Sequence, residues 1–478
     1  MGGTRSARAG REVDMRIRIA LFLISLAVNV LRAAGPVYVV LWFDTEDYVE
    51  PAADDAALHL ARDLTGLGVR ATFKVVGEKA RVLEQRGRWD VMRALALHDI
   101  GYHSNFHSIP PAPSLYLRDL GYVEGAAEFE RRERAGVADV ERIFGVRPSC
   151  YGQPGSSWAP QANTALRRMG ISVYLDEGSQ VGLNNQPFWY GGLLYIYNMG
   201  RFTMRAPLDG AGPVENSYQR FDRAASELAA RGGGVISIYY HPTEFVTTEF
   251  WDAVNFAKGA DRERGDWRRP RRRTEADSER CYGILHAYVA HIKGVPGVRF
   301  ATARELLQLY GSPAPLSLSR TRISEHMATK QTFLLTEQES LSAADMMLAL
   351  LGMDPQVVDG PATRIASTLR GDTIPRAALE RAKADAASFI RIYQRLPAVV
   401  WIGSEKLSIG DFAATLASYD GTSVSAGIRR ANLEFENYFS TDPKGSFSWP
   451  IHPEGFSAPE LLDLGRLQGW TLKPARLR

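Results

Sequence analysis

Between Gly35 and about Tyr310, short apolar runs alternate with amphipathic stretches of helical period, which predicts an α/β fold on a largely parallel sheet. About seven strand–helix units follow one another, the layout of a (β/α) barrel, closed or incomplete. At Gly311-Ser312-Pro313-Ala314-Pro315 the composition shifts to turn formers, and beyond it the strand rhythm gives way to a smaller helix-rich domain. The expected division is 1–34 as a signal peptide or N-terminal anchor, 35–310 as the barrel, 311–330 as a linker and 331–478 as the helix-rich C-terminal domain.

The first strand is the apolar run Val37-Tyr38-Val39-Val40-Leu41-Trp42-Phe43, which ends in the acidic cluster Asp44-Thr45-Glu46-Asp47. Asp54 to Leu67 carries Ala57, Leu58, Leu60, Ala61 and Leu64 on one side and reads as a helix closed by Gly66 and Gly68. Val69 to Val76 is a second strand, Arg88 to Leu97 a helix, and Asp99-Ile100-Gly101-Tyr102 a short third strand. Gly125 to Phe144 is a long helix, Arg147 to Tyr151 a strand before a Gly/Pro/Ser loop, Gln161 to Met169 a helix and Ile171 to Leu175 a strand. Leu193–Tyr197, Val235–Tyr240 and Val298–Ala301 are further strands, with helices over Ser217–Arg231 and Asp277–Lys293.

The 478 residues suffice for two or three domains, and 45% hydrophobic with 23% charged residues describes an ordinary folded protein. A net charge of +3 gives no argument for nucleic acid, although residues 262–273 are locally basic, as a solvated loop or a contact for anionic envelope polymer or lipid headgroups. Arg5, Arg8, Arg11, Arg16 and Arg18 precede the apolar run Ile19 to Val30, and Ala33-Ala34-Gly35 follows, which is the layout of an export leader. The protein is therefore expected in the periplasm, the cell envelope or the medium, with a membrane contact only if the leader stays uncleaved. Export permits a disulfide between Cys150 and Cys281, while the alternative is two small core residues.

Chemistry concentrates at His103-Ser104-Asn105-Phe106-His107, taken with the acids that end the first strand. Histidines four apart share a face where the backbone turns helically, so both imidazoles can point at one ion. Imidazole and carboxylate suit a borderline divalent cation, Zn²⁺ first among them, and two His with one carboxylate leave a position open. His59, His98, His286 and His291 read as surface or packing residues.

Five stretches resemble the polysaccharide deacetylases of the NodB-homology class (carbohydrate esterase family 4-like) over residues 36 to about 308. They are Phe43–Asp47, Ala71–Gly77, Asp99–His107, Tyr151-Gly152-Gln153-Pro154-Gly155 and Ser237–Pro242. The resemblance implies a distorted (β/α) barrel and a metal-dependent hydrolase that removes N-acetyl or O-acetyl groups from a polysaccharide. It implies His103, His107 and Glu46 as ligands (Asp47 being the rival to Glu46), Asp44 as general base and His241 as general acid. It puts Tyr151, Gly152, Pro154 and Trp158 at the substrate, with a backbone N–H near Tyr151 or Gly152 on the oxyanion. Two departures stand out. Gly152-Gln153 occupies the place of an arginine that orients the base, with Arg147 too far upstream, and the acid that tunes the last histidine is unassigned, Asp176 and Glu177 being the candidates. A non-catalytic glycan-binding scaffold and a related C–N hydrolase therefore stay open.

In the C-terminal part, Leu341-Ser342-Ala343-Ala344-Asp345-Met346 matches Leu407-Ser408-Ile409-Gly410-Asp411-Phe412, 66 residues later, and each follows an extended apolar run. Ser followed three later by Asp starts a helix, because the hydroxyl satisfies an orphan N–H and the acid meets the positive helix end. Residues 395–412 resemble a pseudomurein-binding type repeat, which implies attachment to a cell-wall polymer; the alternative is a plain helical packing domain.

Overall fold

The computed structural model describes residues 35–210, 212–311, 319–337 and 339–477. The expected leader and residues 312–318 of the expected linker lie outside the described residues. Among those described, no helix is long and apolar enough to cross a membrane.

The strands, in chain order, are β1 (Val37–Thr45), β2 (Thr72–Val75), β3 (Asp99–Tyr102), β4 (Cys150–Tyr151), β5 (Val173–Leu175), β6 (Phe188–Tyr190), β7 (Leu193–Ile196), β8 (Thr203–Met204), β9 (Gly234–Tyr240) and β10 (Val298–Phe300). With β17 (Lys473–Pro474) they form one sheet in the order β17-β6-β7-β5-β4-β3-β2-β1-β9-β8, with β10 also on β1. From β7 through β5 to β8 every neighbour is parallel, while β6 and β17 run antiparallel at the other edge. The sheet curls into an incomplete, distorted (β/α) barrel with helices outside, as the alternation of the sequence predicts.

β1 is central because its side chains are buried on both faces, the condition for a parallel strand covered by helices. It pairs with β9 over Val37–Phe43 and with β2 over Trp42–Thr45. The register sets Asp44 beside Lys74 and Lys74 beside Gly101. Parallel strands place their carboxyl ends on one rim, so the residues ending β1, β2, β3, β5 and β9 converge there.

Among the elements not read from the sequence are three short strands and the helix Gly77–Gln85. β6, β8 and β17 have two or three residues each, too few for an alternation to show. Cys150 and Cys281 are both free and buried, which is the core reading rather than the disulfide.

The C-terminal part has a separate apolar cluster that includes Met346, Met347, Ile390, Phe412, Phe435 and Trp470. Each recurring Ser-x-x-Asp segment follows an antiparallel hairpin: β11 (Leu334–Leu335) with β12 (Ser340–Leu341), and β14 (Val399–Ile402) with β15 (Glu405–Ser408). β13 (Thr373–Pro375) pairs with β16 (Ser425–Gly427) to join the helix Arg376–Tyr393 to this unit. The Oγ of Ser342 accepts the Asp345 N–H and that of Ser408 the Asp411 N–H, both at 3.1 Å, so both caps read from the sequence form. The chain then returns to the barrel: Phe439, Phe447, Phe456, Leu461 and Leu472 join the barrel core, and β17 adds to the edge of its sheet.

Candidate metal centre

His103 follows β3 directly, and residues 103–112 form turns rather than a helix. The histidines are brought together by left-handed backbone at Ser104 (φ 65°) and His107 (φ 56°), not by the helical turn expected from their spacing. This conformation disfavours side chains with a Cβ, so the surroundings must enforce it. The Ser104 hydroxyl accepts the His107 N–H at 2.9 Å, and the Glu133 carboxylate accepts the Asn105 N–H at 2.8 Å and the Tyr102 hydroxyl at 2.6 Å.

Nε2 of His103 and Nε2 of His107 lie 3.1 Å apart, and Oε2 of Glu46 stands 3.3 Å from the first and 2.8 Å from the second. All three side chains are buried. Their outer contacts decide the tautomers. His103 Nδ1–H donates to the carbonyl of Gly152 at 3.0 Å. The Ser108 hydroxyl donates to Asp252 at 2.9 Å, so its oxygen accepts from His107 Nδ1–H at 2.6 Å. With both Nδ1 atoms protonated, both Nε2 atoms are lone-pair acceptors, and the Glu46 oxygen is a third. Three buried acceptors that face one another without a shared proton repel unless a cation lies among them, so this donor set fits a divalent ion. Among the described residues it is the one group of three acidic, His or Cys side chains whose atoms all come within 4.8 Å of one another.

Asp47 is engaged elsewhere. One of its oxygens accepts the N–H groups of Val49 and Glu50, both at 2.9 Å, and the other accepts the Thr243 hydroxyl at 2.8 Å. Burial pushes its carboxyl up to about 6. Glu46 is the acid that meets both imidazoles, at 3.3 Å from His103 and 2.8 Å from His107.

Asp44 sits 2.8 Å from the ammonium of Lys74, which also binds Asp176 at 3.0 Å and the Leu175 carbonyl at 2.8 Å. Lys74 is completely buried over the Trp42 ring; burial would lower its pKa, and the two carboxylates overcome this and keep it charged. Lys74 thus brings to Asp44 the cation that the third motif does not provide. Arg147 is far from this role, reaching out to Glu141 at the surface. At Gly152 a Cβ would overlap the Lys74 ammonium, so the residue in the arginine's place must be a glycine for the lysine to enter.

His241, beyond β9, turns Nε2 toward Asp44 at 3.6 Å and donates Nδ1–H to Glu244 at 2.6 Å. Burial lowers its pKa, but the Glu244 hydrogen bond and the charges of Glu46, Glu244 and Asp44 outweigh that and lift it to about 9. The acid that tunes this histidine is therefore Glu244, three residues on; Asp176 is occupied by Lys74, and Glu177 accepts from Thr203. Pro242 at the first position of the following turn, with an acid two residues later, is the helix-start pattern that marks Glu244 in the sequence.

These groups line a cavity of about 330 Å³ together with Trp42, Gln153, Gly155, Ser156, Arg205, Tyr239, Phe250 and Trp449. Tyr151, Gly152, Pro154 and Trp158, expected at the substrate, are buried behind its wall and do not line it. Tyr151 packs edge-on against Phe129 and Tyr174, and the Gly152 N–H is held by the Tyr102 carbonyl at 3.0 Å, so it cannot serve an oxyanion. The other histidines pack as expected: His59 stacks on Tyr282, His98 bonds the Ala61 carbonyl, His286 pairs with Asp63, and His291 stacks on Tyr218.

No family model matches the sequence, and no curated protein matches it. Among solved structures the chain is similar to a Mycobacterium smegmatis protein described as a polysaccharide deacetylase, with TM-score 0.38, 14% identity and 60% of this chain covering 96% of that one. It is also similar to a family 4 acetyl xylan esterase from Clostridium thermocellum in complex with a cobalt ion (TM-score 0.29, 17% identity, 58% of this chain and 93% of that one). A 4-alpha-glucanotransferase from Thermococcus litoralis, with other chemistry, reaches TM-score 0.38 at 13% identity over 57% of this chain and 40% of that one. Likeness at this level decides nothing about activity.

Proposed function

We propose that the protein is an exported, metal-dependent deacetylase that hydrolyses N-acetyl or O-acetyl groups of an envelope or extracellular polysaccharide. The observation that carries this reading is the meeting of the Glu46, His103 and His107 acceptors beside the Asp44 carboxylate and the His241 Nε2. Glu46, His103 and His107 would hold the cation, with Zn²⁺ the first choice for two imidazoles and a carboxylate. When bound, such an ion supplies a Lewis acid that makes a water nucleophilic near neutral pH and polarises the acyl carbonyl.

The chain's own residues supply the proton transfers. Asp44, fixed by Lys74, accepts the proton of the attacking water. His241, charged through its bond to Glu244, gives its Nε2 proton to the departing nitrogen or oxygen. An amide in particular needs this, because an unprotonated amide anion is a very poor leaving group. Tyr239, Phe250 and Trp449 offer the cavity aromatic surface against which a sugar ring can lie. The leader pattern of residues 1–34 supports export, and a wall-binding role of the C-terminal unit would raise the local concentration of substrate.

The test is elemental analysis of the purified chain beside His103→Ala, with acetate release from chitooligosaccharide, peptidoglycan and acetylated exopolysaccharide. Stoichiometric divalent metal in the wild type, its loss in the variant and acetate from one of the polymers are expected. A metal-free wild type that releases no acetate would defeat the reading.

A further inference from the structure

The cavity is completed by a segment remote in sequence. Residues 446–452 lie along its rim as a strap, and Trp449 and Ser448 line the cavity beside the candidate ligands. Contacts along the strap's length fix it there. The Trp449 N–H donates to the Ser156 hydroxyl oxygen at 2.9 Å, the Pro450 carbonyl accepts the Lys258 N–H at 2.7 Å, and His452 bonds the Ser114 hydroxyl at 2.8 Å. Gly155 (φ +52°) lies directly beneath the Trp449 ring, where a Cβ would overlap the indole.

The indole N–H of Trp449 donates to Asp252 Oδ2 at 2.8 Å. That same oxygen accepts the Ser108 hydroxyl at 2.9 Å, and the Ser108 oxygen accepts His107 Nδ1–H at 2.6 Å. Asp252 is fully buried, and its other oxygen is held by the Ala253 N–H at 2.7 Å. A continuous chain of hydrogen bonds, with Asp252 accepting at its centre, therefore runs from the strap to the outer nitrogen of one candidate ligand. Hydrogen bonds of this kind fix the tautomer and the ring orientation of a ligating histidine.

We propose that Trp449 is a positioning residue for the candidate metal centre: its indole N–H orients Asp252 and, through Ser108, sets His107 for ligation, so the C-terminal strap governs metal affinity. The proposal rests on the metal-binding part of the functional reading above. It differs from a role in wall packing alone, since Phe at this position would keep an aromatic face while losing the N–H, and Ser108→Ala breaks the same chain without touching the wall.

The experiment titrates Co²⁺ into the full-length metal-free chain against a competing chelator, recording both affinity and the visible Co²⁺ spectrum, for wild type, Trp449→Phe, Ser108→Ala and the double variant. W449F is expected to weaken binding about 10- to 100-fold and alter the spectrum. The double variant is expected to bind no more weakly than S108A, because both changes break one chain of bonds. S108A leaves the strap untouched and so keeps the test open if W449F folds poorly, as seen in its melting curve; S108A binding as tightly as wild type overturns the relay. W449F affinity within twofold of wild type, or losses that simply add, also overturns it. A wild type that binds no Co²⁺ overturns both this inference and the metal site beneath it, and so is distinct from failure of the relay alone.

Discussion

The barrel and the C-terminal helical unit spend their buried polar groups differently. At the barrel's rim Asp44, Glu46, Lys74, His103, His107, Asp176 and Asp252 are all buried within one connected set of contacts. In the helical unit Ser342 and Asp411 are buried, but they serve chain geometry, capping helices and pinning loops. Burying ionised groups is costly unless each is paired, so those at the rim are held in mutual contact. The contrast sets the connected buried charges beside the candidate site, while the buried Ser342 and Asp411 shape the helical unit itself.

The sharpest way to break that contrast is to remove Lys74. Lys74→Met keeps the length of the side chain and leaves Asp44 and Asp176 buried without their shared cation. Removing one partner from a buried ion pair costs about 3–5 kcal/mol, and a Lys74 variant is expected to fall in that range by urea denaturation, with acetate release abolished. A loss under about 1 kcal/mol, the scale of exposed pairs, would show that the rim is solvated and the contrast unfounded.

A smaller effect comes from the strap, where pH acts through His452. This imidazole bonds Ser114 and the Trp449 carbonyl, stacks on Phe456 and meets Phe447 edge-on, and the Arg118 guanidinium lies over Phe456. Burial outweighs the bond to the Trp449 carbonyl and lowers its pKa to about 4. The unfolded chain, near the ordinary 6.5, binds more protons in this window, so stability rises with pH. The contribution is complete above about 6.5 and is lost as pH falls through about 4; at about 1.4 kcal/mol per unit its upper bound is about 3 kcal/mol. Denaturation curves from pH 7 to 4 should fall less steeply for His452→Leu than for wild type. Parallel curves would mean that the strap does not depend on a neutral imidazole.

The course of the barrel was legible because a parallel sheet demands apolar runs of strand length between helices of 3.6 period. β1 and β3 stand within two residues of their predicted bounds. The candidate ligand set was legible from the two histidines four apart and, for Glu46, from the resemblance of Phe43–Asp47, since Asp44 and Asp47 end the same strand and make other contacts. The second tier was harder. Lys74 shows only as a cation inside an apolar strand, a placement that forces carboxylates to approach it, though the sequence does not say which. Asp252 and Trp449 lie 145 and 342 residues from His107, and no local pattern links a strap to a rim it meets only after folding. Tyr151, Gly152 and Pro154, expected at the substrate, are buried, while Gln153, Gly155 and Ser156 of the same loop line the cavity, because the loop's conformation and not a strand alternation sets which side chains face it.

The smallest expected effect sharpens the contrast from the helical side. Ser342 caps with a reciprocal pair, since Asp345 also accepts the Ser342 N–H at 2.8 Å and its hydroxyl at 2.9 Å. At Ser408 the acid instead turns to Ser367 at 2.6 Å and to Arg430 at 2.7 Å, leaving only the hydroxyl to cap. Replacing either serine by alanine should cost about 1 kcal/mol, with Ser342→Ala the larger because its box is closed on both sides. Neither residue touches the barrel rim, so Co²⁺ affinity and acetate release should match wild type in both variants. If S408A instead weakened the metal as W449F is expected to, the helical unit would be coupled to the site through its own packing, and the strap would no longer be the route between the two regions.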